Sequence, residues 1–326
     1  MRSSTTANCF LAFVAALAGS VTWSAPPILT PHSVIKIANS AGKFDFLGVD
    51  SAAHRLLAGH EKDGTADFFD LNKNQLIARV KVGPAVEIAV DPKTGAYFAS
   101  VQDDKRIAVI DGKSLKEIRS IALPGESDAI LFDTKDRRIY ITHDNGKELW
   151  AVDPDSGKIL ATIGVPEGPE MMAFEPATNR LFLNSKATSQ VVVIDTRTNS
   201  VMATWTTAPA TAPHGLVLDS AHHRIFVAGA NALLIAMDTQ SGRVVAQAPI
   251  VEHVDQIAID RNNRRIFCAG PGAMTVVQSS DHGLAALGNA ETHATAKNVA
   301  VDPKTHDVWV TFTDGKDSYA KSWSQH

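Results

Sequence analysis

Side chains able to do acid–base, electrostatic or ligand chemistry recur along this 326-residue chain with a period of about 42 residues. They are Asp45, Glu87, Asp128, Glu170, His214, Asp255 and Lys297: five carboxylates, one imidazole and one ammonium. Carboxylates gathered in one place raise one another's pKa or attract a cation. Their oxygens would suit Ca²⁺ or Mg²⁺, and His60, His143 or His253 could bring Zn²⁺ or a similar ion to the same cluster. In a wet channel the same groups need only be solvated or paired with one another, Asp45 with Lys297 for example. Whether they act together depends on whether the fold brings positions one period apart to a common place.

A second repeat in the same register answers this. An apolar run ending in an acid returns at "FLGVD" (Asp50), "IAVD" (Asp91), "ILFD" (Asp133), "MAFE" (Glu175), "LVLD" (Asp219), "IAID" (Asp260) and "VAVD" (Asp302). The reactive positions stand four or five residues before each acid. After it comes a turn-rich segment such as "DPKTG" or "EPATN", then a second apolar run such as "RLLAG", "RIYIT", "RLFLN" or "RIFCA". A third run ends at Asp70, Asp111, Asp153, Asp195 or Asp238, but at Gln278 in the sixth unit, and a more polar fourth follows, as in "KEIRSIAL". Asp at the head of a turn accepts hydrogen bonds from N–H groups two residues on, and Pro presets φ for the next position. Four short strands per unit, with no room for a helix, predict an all-β chain, and a four-stranded meander repeated at this length predicts a β-propeller.

The blade count comes from the ends. The seventh unit has a first strand at 299–302, a second at 307–312 and a short third in "SYAKSW", and then the chain stops. "SVIKI" (Ser33 to Ile37) precedes the first unit and is expected to complete that last blade, closing a seven-bladed ring of antiparallel blades and protecting an edge. Meander connectivity places the entries to the first strands, and the loops after the second strands, on one face around the channel mouth. Asp45, Glu87, Asp128, Glu170, His214, Asp255 and Lys297 are therefore expected there with His60 and His143, and His222 and His223 on the opposite face.

The remaining signals bound the function. A formal charge of −4 gives no field-driven attraction to nucleic acid, and the aromatics fall mainly in strands, so no base-stacking platform is expected. Arg2 followed by the apolar run Phe10–Ala18 and small residues reads as a secretory signal peptide within residues 1–25, leaving residues 26–326 as one propeller domain. Cutting after Ser20 suits the small-residue rule better than cutting after Ala25. The run is too short to span a bilayer. Cys9 leaves with that segment, and Cys268, within "RIFCAG", is expected to be a buried small hydrophobe. No nucleophile elbow, phosphate loop or Cys-x-x-Cys is present, and "DGKDS" lacks the spacing of a calcium loop.

The second strands "RIYIT", "RLFLN" and "RIFVA", with third-strand ends such as "VIDT", resemble the YVTN β-propeller repeat family, and within it the exported YncE-like bacterial proteins. The resemblance covers the whole mature chain and departs from the pattern at Gln278 and in the short last blade. It implies a periplasmic or secreted binding or interaction module. DNA binding is reported for some members, and the related propeller subunits of amine dehydrogenases work beside a partner carrying a quinone cofactor. The expected function is thus an exported, monomeric, non-catalytic propeller that binds a protein, peptide or small ligand on its acid-rich face. Two alternatives are a metal-assisted, lactonase-like hydrolase with Glu87, Glu170 and Asp255 as ligands or base, and a propeller subunit supporting a separate redox partner.

Overall fold

Two burial patterns distinguish the strands. Fourth strands such as Lys116–Ala122 alternate between exposed and half-buried residues, whereas second and third strands such as Arg180–Ser185 and Gln190–Asp195 are buried almost continuously. A strand covered on both faces must lie between two packed layers. The computed structural model, which describes Met1 and residues 27–326, supplies those layers as seven four-stranded antiparallel sheets. The expected signal peptide falls on residues outside that description. Blade one runs Leu47–Asp50, Arg55–His60, Thr65–Asp70 and Gln75–Lys81, and blades two to six repeat the order from Ala85, Ser127, Pro169, Pro213 and Ile257. Apolar side chains interleave between neighbouring blades, as where Phe182 and Val193 of blade four meet Leu216 and Ile225 of blade five. Among the described residues no helix is long and apolar enough to cross a membrane.

Blade seven is Ala300–Val301, Val308–Asp314 and Asp317–Gln325, with Leu29–Ile37 as its outer strand. The expected closure by the N-terminal strand is therefore present, and the strand is longer than Ser33–Ile37. It pairs from Leu29 opposite Gln325 to Ile37 opposite Ser318, with a register break between Pro31 and Val34. The third strand of this blade is also full length.

The turn acids do what their position demands. Asp50 Oδ1 accepts the N–H groups of Ala52 (2.9 Å) and Ala53 (3.1 Å), and Asp133 and Asp260 repeat the arrangement. Gln278 replaces Asp because blade six has no such turn there. Its third strand continues to Ser280, paired with Gly283, and the Gln278 amide donates to the carbonyls of Asn263 and Arg264.

The same turns bind blade to blade. The Arg heading a second strand reaches a carbonyl in the next blade: Arg55 to Gly112 (2.7 Å), Arg138 to Thr196 (2.7 Å), Arg180 to Thr239 (2.9 Å) and Arg265 to His326 (2.7 Å). In blade five Arg224 turns back to Asp238. Residues in the left-handed turn position reach the acid of the preceding blade, His54 to Asp302, Arg137 to Asp91 and His306 to Asp260. The recurring arginines and acids of the sequence thus hold the ring together at one face, leaving the other face to carry the candidate site.

Candidate functional site

At the channel mouth the first strands are interrupted. In blades two to five the register with the second strand breaks between Ala85 and Ile88, Ser127 and Ile130, Pro169 and Met172, and Pro213 and Leu216. A bulge re-aims the side chains it contains, and the bulged pairs hold Glu87, Asp128, Glu170 and His214. The N–H groups freed by the break find new acceptors. Ser100 Oγ takes the Glu87 N–H (3.1 Å), and Thr142 Oγ1 takes that of Ala129 (2.9 Å). Glu87 Oε2 crosses to blade three and accepts the Ile130 N–H at 2.8 Å. Blade two exchanges the roles within its bulge, because Val86 enters the core and the following residue carries the acid.

All seven ring side chains are half-buried. Burial pushes Asp45 up to about 7, with Lys43 opposing and Asp255 adding to the rise. Burial likewise pushes Glu87 up to about 7 against the Ile130 hydrogen bond, with Asp45 adding to the rise. Asp128 is held well above the ordinary carboxylate range by burial, Glu170 and Asp45, and it has no ion-pair or hydrogen-bond partner among the described residues. Burial also raises Glu170, although His214 and Lys186 lean the other way. For Asp255 the balance reverses: burial favours the neutral acid, but His214, Lys297 and Lys43 hold the carboxyl below its ordinary range. His214 Nδ1 stands between two of these acids, 3.3 Å from Asp255 and 3.7 Å from Glu170.

Several expected roles are corrected. His60 is fully buried, not at the mouth. Its Nδ1 meets Asp67 at 2.8 Å, its Nε2 meets the Gly42 carbonyl at 3.1 Å, and its ring stacks on Phe44 at 3.7 Å. His143 packs on Trp150 and lies 3.3 Å from Glu148 of its own blade, opposite Ser127 in the strand register. Asp45 pairs with Lys43 at 3.4 Å, not with Lys297. Among the described residues no three His, Cys, Asp or Glu side chains converge as ion ligands do. Cys268 is buried, and burial pushes its thiol well up, as suits a small hydrophobe.

Lys186, which sequence reasoning passed over, and Gln256 complete the site. Lys186 lies 3.3 Å from Glu170. Gln256 reaches from blade six to blade seven and past it to blade one, its Oε1 accepting from Leu47 (3.0 Å) and Val299 (3.1 Å) while its Nε2 donates to the Leu47 carbonyl (2.7 Å). Lys186 follows a second strand directly, so the repeat register could have located it as it does Gln256, which follows Asp255. Beneath the ring, Glu87, Met171 and Gln256 border a cavity of about 410 Å³ whose wall mixes Leu131, Ala173 and Val217 with Ser51 and Arg261. The site is therefore a ring of mainly acidic side chains over a cavity of mixed polarity.

No protein-family model matches the chain, and no curated protein matches it. Solved structures do. A chain from the crystal structure of a mitotic checkpoint complex has a TM-score of 0.79 and 11% identity, covering 97% of this chain and 99% of that one. A chain of Kuenenia stuttgartiensis hydrazine synthase has a TM-score of 0.74 and 13% identity, covering 87% and 95% respectively. At such identities the likeness is one of fold alone, and the fold is the seven-bladed β-propeller.

Proposed function

We propose that this protein is an exported, non-catalytic binding propeller of the YVTN, YncE-like kind, whose channel mouth receives a protonated amine or a basic peptide segment. Residues 1–25 direct export to the periplasm or beyond, and the mature chain acts as a monomer. The observation that carries the binding role is Asp128: a half-buried acid, unpartnered among the described residues, in a collar it shares with Asp45, Glu87 and Glu170. Such a collar is costly to ionise by itself and becomes favourable when a ligand brings the missing positive charge. Propellers commonly serve as interaction platforms, which agrees with a binding role without choosing the partner.

The test is calorimetric titration of the mature protein with spermidine and with a tetralysine peptide. Binding is expected to be stronger at pH 8 than at pH 5.5, because Asp45 and Glu87, both raised to about 7, gain their charge between those two values. Replacing Asp128→Asn together with Glu170→Gln should weaken it roughly tenfold or more, the scale of losing charged hydrogen bonds. Absence of binding at both pH values, or identical affinity in the double variant, refutes the assignment. N-terminal sequencing of the cell-fractionated protein tests export: a start after Ser20 or Ala25 in the periplasm supports it, and an intact Met1 in the cytosol opposes it.

A further inference from the structure

A second cavity, of about 510 Å³, opens on the same face where blade seven meets blade one. Its volume falls in the range that takes small organic ligands. Its aromatic walls are fixed before any ligand arrives. Phe44 stacks on the buried His60, and Phe312 is stacked with both His293 (4.8 Å) and Tyr319 (5.1 Å). The three chain segments around the space are stitched together. Thr295 Oγ1 donates to the Thr313 carbonyl (2.9 Å) and accepts the Thr313 N–H (2.9 Å), while Thr313 Oγ1 donates to the Gly42 carbonyl (2.7 Å). A cavity so pinned spends little of a ligand's binding energy on ordering its own walls.

Two ammonium groups line this aromatic space. Lys43 is already neutralised, 3.4 Å from Asp45 and 3.2 Å from Glu61. Lys297 is half-buried and makes no ion pair or side-chain hydrogen bond among the described residues. The acid acting on it is Asp255, which it influences through space without a direct ion pair and which His214 already holds at 3.3 Å. A ligand carrying one negative charge would give this partly desolvated ammonium a direct partner. We propose that this cavity binds a small carboxylic acid with an aromatic body, its carboxylate on Lys297 Nζ and its ring against Phe44 and Phe312. The cavity adjoins the anionic collar at Lys297 and is opposite to it in charge preference, and a naphthoate titration tests it independently of cation binding by the collar.

The experiment is isothermal titration of the full mature protein, at low ionic strength, with three probes of one shape: 2-naphthoate, the neutral 2-naphthylmethanol and the cationic 2-naphthylmethylamine. One molecule of naphthoate is expected to bind, with the alcohol roughly tenfold weaker, the scale of one charge-assisted hydrogen bond. Lys297→Met should bring naphthoate down to the alcohol's affinity, and Lys297→Arg should keep it. Ala294→Trp, placed at the exposed rim of the cavity, should block both probes without altering the melting curve. The inference is overturned if naphthoate does not bind, if it binds no better than the alcohol or amine, or if either Lys297→Met or Ala294→Trp leaves its affinity unchanged.

Discussion

Replacing Glu87 by Gln is expected to stabilise the protein at pH 8 and to leave it unchanged at pH 4. The folded pKa of Glu87 is raised from 4.5 to about 7. The folded state therefore binds the proton more tightly than the unfolded chain, and the favourable contribution is fully present below about 4.5 and lost as pH rises through about 7. At about 1.4 kcal/mol per unit, a rise of roughly 2.5 units corresponds to a ceiling of about 3 kcal/mol at pH 8. Part of that ceiling is shared with Asp45, whose charge contributes to the rise, so about 1–3 kcal/mol is the expected gain. The amide oxygen of Gln can still accept the Ile130 N–H, so the bulge keeps its hydrogen bond while the charge is removed. The assay is equilibrium urea unfolding of both proteins at a series of pH values between 4 and 8. The difference between variant and parent, rather than either curve alone, isolates this side chain from the other titrating groups. The difference should be near zero at pH 4 and grow through the neutral range. A variant no more stable than the parent at pH 8, or a constant difference at every pH, refutes the claim that the collar stores unfavourable charge. Such stored charge is what a binding site can carry at the expense of stability, and saturating spermidine should restore to the parent much of what it lacks relative to Glu87→Gln.

Two further outcomes follow from the packing. His60→Ala removes a donor from the wholly buried Asp67, leaving it Thr65 and Arg79, and should cost about 3–5 kcal/mol in a denaturant melt without weakening tetralysine binding in whatever fraction remains folded. Deleting residues 29–37 strips Ile35 and Ile37 from the core and bares the edge of Asp317–Gln325. The shortened protein should melt at a lower temperature and elute as larger species on size exclusion, by edge-to-edge pairing; an unchanged monomer would show that the closing strand is dispensable.

The architecture was legible in the sequence because its determinants are local. Each turn is written by an acid, a polar stretch and a residue that enters the left-handed region, as at His54, Arg137 and His306, and each strand by its apolar run. Repeating that local code seven times leaves few ways to arrange the chain, so even the long-range pairing of Leu29–Ile37 with Asp317–Gln325 could be anticipated by counting strands. The period also singled out the seven candidate ring positions, since equivalent residues of a closed repeat are expected at one level.

Tertiary structure alone decided what those side chains touch. The bulges are invisible in the apolar pattern, yet they let Glu87, rather than its predecessor Val86, carry blade two's acid, and they direct its carboxylate to Ile130 of the next blade. Spacing puts His60 and His143 at equivalent positions, but the 38–46 segment folds over His60 and seals it against Phe44 and Gly42, while His143 packs on Trp150 of its own blade. Lys43 wins Asp45 because it is only two residues away and fixed by the same loop, leaving Lys297 without a direct ion pair among the described residues at the edge of the aromatic cavity. Local hydrogen-bond chemistry fixes strands and turns residue by residue. Ion pairing and burial depend on which segments the closed ring brings within a few ångströms, and no spacing in the chain encodes that distance.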